Sequence, residues 1–128
     1  MSSRPVKIPG PDHPITIAAN PNCIEVRLQG HLIARTSRAL TMREGGYPPV
    51  HYIPRTDTEM PLLRDSTHTT YCPFKGEAGY FSIVLENGGA ENAVWFYAEP
   101  FAAVSEVRDH LAFYADKVEI TEVAGQAE

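Results

Sequence analysis

Three side chains stand where this chain could do chemistry: Cys72, Lys75 and Glu44. Two of them fall in one run, Thr69-Thr70-Tyr71-Cys72-Pro73-Phe74-Lys75-Gly76-Glu77-Ala78-Gly79-Tyr80. An ammonium close to a thiol lowers the thiol pKa and favours the thiolate nucleophile. A lysine held on a rigid support can act on a carbonyl substrate or anchor a phosphoryl group. Acyl transfer by Cys72 would also need a base, and His68 is the histidine nearest in sequence. Glu44 stands just before Gly45-Gly46. Like Asp57 and Glu77, it becomes an acid–base candidate if burial raises its pKa. Arg38, Arg43, Arg55 and Lys75 would grip an anion if the fold gathered them. None of these sets is a complete catalytic motif, so the sequence names no reaction.

The elements around Lys75 must hold it in place. Pro73 fixes its own φ and biases Cys72 toward an extended backbone. Gly76 and Gly79 permit angles or close approaches that a Cβ would block. Tyr80 to Val84 then has the aromatic and β-branched composition of a strand. A constrained loop thus delivers Lys75 to the mouth of a strand. The aromatic set Tyr52, Tyr80, Trp95, Tyr97 and Tyr114 is either core or the lining of a pocket that holds this lysine, and its polar tips need partners if they are buried. Extended geometry puts Val50 with Tyr52 on one face and His51 with Ile53 on the other, and it puts Trp95 and Tyr97 on a common face.

The rest of the chain reads as strands. Met1 to Asn22 carries five prolines and reads as an extended arm, with a short edge strand at Ile15-Thr16-Ile17. Cys23–Leu28 alternates apolar and polar, Gln29-Gly30 turns, and His31–Arg35 returns. Ala39–Glu44 and the proline-flanked Val50–Ile53 follow, the latter at an edge or boundary. Asp57 to Ser66 reads as a loop with a short strand around Leu62 and Leu63. Glu86-Asn87-Gly88-Gly89 is a turn signal before the strand Ala93–Tyr97. Ala102 to Leu111 has helical spacing at Ala103, Val104, Val107 and Leu111. Phe113-Tyr114 and Val118–Val123 give the last strands, and 125–128 a frayed tail. The expectation is one mainly antiparallel β domain over 23–124 with one short helix.

Composition excludes several functions. Hydrophobic residues make up 43% and charged residues 21% of the 128, which is ordinary for a globular domain. A net charge of −5 argues against nonspecific nucleic-acid binding. No apolar run is long enough to span a bilayer, and the first residues lack an apolar signal core. A cytoplasmic protein with free thiols is therefore expected. Metal sites favour closely spaced Cys or His pairs, and no spacing makes Cys72 converge with His51, His68 and His110. Lys75-Gly76 lacks the upstream glycine and following Ser/Thr of a phosphate-binding loop. No metal and no cofactor are expected.

Glu44-Gly45-Gly46-Tyr47-Pro48-Pro49-Val50-His51-Tyr52-Ile53-Pro54-Arg55, Thr70 to Tyr80, Ala93–Tyr97 and Ala112–Tyr114 together resemble the "domain of unknown function 427" family. The likeness runs from about Ile24 to Val118. It implies a compact fold of the β-tent type, and the family carries a nucleotidyltransferase-like label. It carries no established catalytic residues. Its motif positions here are Glu44, Tyr52, Pro54, Asp57, Cys72, Lys75, Gly76, Tyr80, Trp95 and Tyr97. The functional expectation is a small-molecule ligand in a pocket lined by Tyr52, Tyr80, Trp95 and Tyr97 and anchored by Lys75. The alternatives are an enzyme using Lys75 or Cys72 on a carbonyl or phosphoryl substrate, with Glu44 a further catalytic candidate, and an interaction module or homodimer docking through the arm.

Overall fold

A computed structural model describes residues 4–125. The first three residues of the arm and all of the tail but Gly125 lie outside the described residues. Among those residues ten strands form two sheets, with antiparallel pairing throughout. They are β1 (Ile15–Asn20), β2 (Cys23–Leu28), β3 (His31–Thr36), β4 (Ala39–Glu44), β5 (Val50–Pro54), β6 (Leu63–Cys72), β7 (Gly76–Leu85), β8 (Gly88–Phe96), β9 (His110–Phe113) and β10 (Glu119–Val123). The larger sheet has the order β1-β4-β5-β9-β8-β7-β6, and the smaller β10-β2-β3. The mainly β expectation holds, and among the described residues no helix is long and apolar enough to cross a membrane.

Alternation divides the larger sheet's side chains between two cores. Ile53, Phe81, Ile83, Val94, Leu111 and Phe113 pack with Ile24, Val26, Leu28 and Ile33 of the smaller sheet. The opposite parity places Met42, Tyr52, Ala78, Tyr80, Tyr97 and Ala112 in a second cluster, joined by Val50, Trp95 and Tyr114. The expected pairings of Val50 with Tyr52 and of Trp95 with Tyr97 are therefore present. A two-residue turn at Gln29 and Gly30, both at positive φ, joins β2 to β3. Leu85 pairs with Gly88 across the β7–β8 turn.

Two local expectations are corrected. The short strand expected around Leu62 and Leu63, within a loop over 57–66, is instead the start of a ten-residue strand, β6. It is an edge strand, so most of its side chains are exposed and no apolar alternation marks it. The helical spacing over 102–111 gives only 3-10 turns at Ala102–Val107, interrupted at Val104 (φ −129°). Val104 and Val107 enter the second cluster. Asp109, at φ 62°, then reverses the chain, and Leu111 joins β9 and the first core.

Candidate functional site

Lys75 is pinned by backbone on both sides. In the Pro73–Lys75 connection between β6 and β7 its N–H donates to the Cys72 carbonyl at 3.2 Å, and its own carbonyl accepts from Phe101 N–H at 3.0 Å. The two glycines behave as local sequence requires. Gly76 has φ 115°, and a Cβ on Gly79 would stand 2.6 Å from the Phe96 ring. With its backbone fixed, Lys75 turns inward, its side chain only 12% exposed.

There it meets Glu44, the last residue of β4. Lys75 Nζ donates to Glu44 Oε1, and the Glu44 side chain is 17% exposed. The other carboxylate oxygen, Oε2, accepts from His13 Nε2 at 2.6 Å. His13 is held by reciprocal backbone hydrogen bonds with Gly10, and its ring stacks on Phe74 at 3.9 Å, 5° from parallel. Burial alone would push the Glu44 carboxyl up. The Lys75 and His13 contacts outweigh it and hold the group below the usual carboxylate range. Glu44 is thus an ionised acceptor rather than the proton donor considered from sequence.

The pair stands at the side of a cavity of about 250 Å³, lined by Met42, Glu44, Tyr47, Pro48, Val50, Tyr52, Thr70, Lys75, Tyr80, Trp95, Tyr97 and Tyr114. All five residues expected to bind a ligand, Tyr52, Lys75, Tyr80, Trp95 and Tyr97, line it. A neighbouring space of about 490 Å³ shares Glu44, Tyr47, Lys75, Trp95 and Tyr114 and runs on over Pro49, Phe113 and Ile120, so the two form one cleft. Trp95 and Tyr114 rings lie 4.5 Å apart at 44°, and Tyr52 stands edge-on to Trp95. The Tyr80 hydroxyl contacts Thr70 Oγ1 at 3.0 Å and the Tyr114 hydroxyl at 3.2 Å. Burial first, and then the Tyr80 contact, push Tyr114 up to about 12. Burial drives Tyr52 and Tyr97 well above the ordinary phenol range. These hydroxyls stay protonated at neutral pH.

Other candidates lie elsewhere. Cys72 is half-buried and does not line the cleft. The cations considered together do not converge. Arg38 pairs with Asp57 at 3.0 Å, and Arg55 lies over the Phe81 ring at 5.4 Å. Arg38 and Asp57 help line a separate cavity of about 650 Å³ with Cys23 and Arg35. Asp57 also accepts from Thr36 Oγ1 at 2.6 Å. Burial raises its pKa, but the Arg38 and Thr36 bonds prevail and lower it. Glu77 is exposed beside Arg4. His51 contacts Thr41 and Glu122, His68 packs on the Tyr80 ring, and His110 bonds the Arg108 carbonyl. Among the described residues no three His, Cys, Asp or Glu side chains gather as a metal site.

Sequence reasoning missed His13, whose partner Glu44 lies 31 residues away. The one available signal was the turn-forming Gly10-Pro11-Asp12-His13. Thr70 and Tyr47 were also missed, since only the pairing of distant strands brings them to the cleft.

Comparison with curated proteins finds no match. A family profile described as a domain of unknown function (DUF427) matches residues 16–124, leaving out the arm that carries His13. With that match running from β1 past β10 and taking in the cleft's tyrosines, Trp95, Glu44 and Lys75, the chain belongs to the DUF427 family.

Proposed function

We propose that this protein binds a small molecule in the cleft, with Tyr52, Tyr80, Trp95 and Tyr97 as walls and Lys75 as the polar anchor. The observation that carries the reading is convergence. Five side chains from three separate stretches of chain meet around one cavity, with an ion pair at its side. A core built only for stability would be close-packed there, since interiors hold few voids larger than a water. A nearly buried ion pair also contributes little net stability, because desolvation offsets the Coulomb attraction. A charge pair beside an aromatic-lined cavity is the arrangement of a recognition site: apolar walls with a few placed polar groups.

The test is a thermal-shift screen of the wild type against metabolites, repeated with Lys75→Met and Trp95→Leu. A ligand at about 100 times its Kd stabilises by about 2.7 kcal/mol, a shift on the order of ten degrees for this length. The expected result is a ligand whose shift, measured from each variant's own baseline, is lost in both. A ligand whose shift survives in both binds elsewhere, and the absence of any ligand would set the reading aside.

A further inference from the structure

We propose that the cleft selects an uncharged planar ring compound, bearing neither phosphate nor carboxylate. This rests on the binding reading above and assigns its ligand a chemical class.

The argument begins with the charges. Glu44 and Lys75 are the only carboxylate and the only Lys or Arg side chain lining either part of the cleft among the described residues. Each already has its partner. Glu44 uses Oε1 for Lys75 and Oε2 for His13. His51 lines the apolar end, but its Nδ1 faces Thr41 Oγ1 at 2.9 Å and its Nε2 faces Glu122 at 3.3 Å. Among the described residues no arginine lines the cleft, so it lacks the forked donor that favours phosphate and carboxylate. An anionic ligand would have to take Lys75 from Glu44 and then sit beside the abandoned carboxylate. A cationic ligand would have to displace Lys75 or His13. An uncharged ligand disturbs neither pair.

Shape and hydrogen-bonding capacity narrow the class further. The rings of Tyr52, Trp95 and Tyr114 line the cavity and pack on one another, and aromatic rings of this kind favour flat, ring-bearing ligands. Polar tips are few: the Lys75 N–H groups not given to Glu44, the Tyr hydroxyls and Thr70, with Tyr80, Tyr114 and Thr70 partly satisfying one another and the Trp95 indole N–H set beside the Tyr52 hydroxyl. A sugar would bring more hydroxyls than this set can pair, and unpaired buried polar groups are costly. A heterocycle or aromatic amide, polar at one edge, matches it. The inner cavity of about 250 Å³ is below the roughly 300–1,000 Å³ of drug-sized pockets. It holds one ring or a fused pair, with substituents reaching along the apolar end. A nucleotide's phosphates would find no partner there.

Trp95 is the chain's only tryptophan, so intrinsic fluorescence reports on the cleft directly. The experiment titrates benzamide, benzoate and benzylammonium, which present one ring in three charge states. For the wild type, benzamide should quench Trp95 at the lowest concentration, with each charged probe at least tenfold weaker. In Glu44→Gln, which leaves Lys75 without its carboxylate, benzoate should gain at least tenfold over benzamide. In Lys75→Met, benzylammonium should gain instead. A charged probe preferred by the wild type, or a probe order unmoved by Glu44→Gln, overturns the charge assignment while leaving the binding reading intact. No quenching by any of the three removes both. The wild-type series stands as a test even if a variant fails to fold.

Discussion

Replacing Lys75 with Met tests whether the Glu44–Lys75 contact is energetically a buried pair. Met keeps most of the stem volume, so the change removes chiefly charge and hydrogen bonding. Breaking one partner of a fully buried pair costs about 3–5 kcal/mol, because the other charge is left uncompensated. Here Glu44 stays 17% exposed and keeps its bond from His13. A loss of about 2 kcal/mol follows, in the range for a charged hydrogen bond. With unfolding entropy of about 2.1 cal/mol/K per residue, that lowers Tm by about 7 °C for this length. Glu44→Gln should cost somewhat less, since the amide oxygen still accepts from Lys75. The double variant removes both charges, so it should cost less than the sum of the singles by about 1 kcal/mol or more. Urea unfolding followed by Trp95 fluorescence supplies the four corners of the cycle, with unchanged m-values as the control. Additivity within about 0.5 kcal/mol would refute the coupling. The Glu44–Lys75 contact would then be an ordinary surface pair, and the argument that the cleft's charges are already spent would fall with it.

Three other outcomes follow from the geometry. Gly79→Ala places a Cβ 2.6 Å from the Phe96 ring and should destabilise by about 1–3 kcal/mol in urea unfolding; an unchanged midpoint would mean that Phe96 has room to move. Glu44, Asp57 and Glu122 all have folded pKa values below the ordinary carboxylate value, so the unfolded chain binds more protons in acid. Their contribution is full at neutral pH and is lost as pH falls from the ordinary value through the folded ones. Urea midpoints across pH should show a shallower acid limb in Glu44→Gln, and superposable limbs would count against the Lys75 and His13 contacts. Finally, tyrosinate absorbance should show a Tyr114 step near pH 12 that disappears in Tyr114→Phe, with Tyr52 and Tyr97 ionising no earlier; ionisation of Tyr114 at the ordinary phenol value would place its hydroxyl in water.

The legible parts of this protein are those decided locally. Cys23–Leu28 appears at its expected bounds because a half-buried strand writes its two faces into alternating residues, and Ala39–Glu44 at its own because Gly45-Gly46 ends it. The grouping of Trp95 with Tyr97 followed from the same parity, and the constraint on Lys75 from Pro73, Gly76 and Gly79. What stayed hidden depends on partners far along the chain. β6 pairs with one neighbour, so its Arg-Asp-Ser-Thr-His-Thr-Thr run carries no core-facing stripe. The spacing of Val104, Val107 and Leu111 imitates a helix, yet the first two serve one core and the third the other. The His13–Glu44–Lys75 cluster joins the arm, the end of β4 and the β6–β7 connection, and no local pattern encodes it.

The position of the cleft follows from how unequally the larger sheet's two faces are covered. One face is covered by β10-β2-β3, and at its centre the side chains are apolar, Ile53, Ile83, Val94 and Leu111, while Phe113 lies at the edge where the cleft's apolar end reaches it. A tyrosine hydroxyl on that face would be buried with few possible partners, at a cost of about 1–3 kcal/mol if left unpaired. Among the described residues no second sheet covers the other face. Val104 and Val107 of the 3-10 turns pack on part of it, while the cleft remains between Tyr47 and Lys75. Only there can residues with an apolar body and a polar tip bury the ring and still satisfy the hydroxyl, as Tyr80 does through Thr70 and Tyr114. A one-residue slip in β5 or β8 would send Tyr52 or Trp95 into the sealed core and Ile53 or Val94 into the cleft. The same register therefore fixes both the stability core and the recognition surface, so a variant that shifts it should lose cleft binding and core stability together.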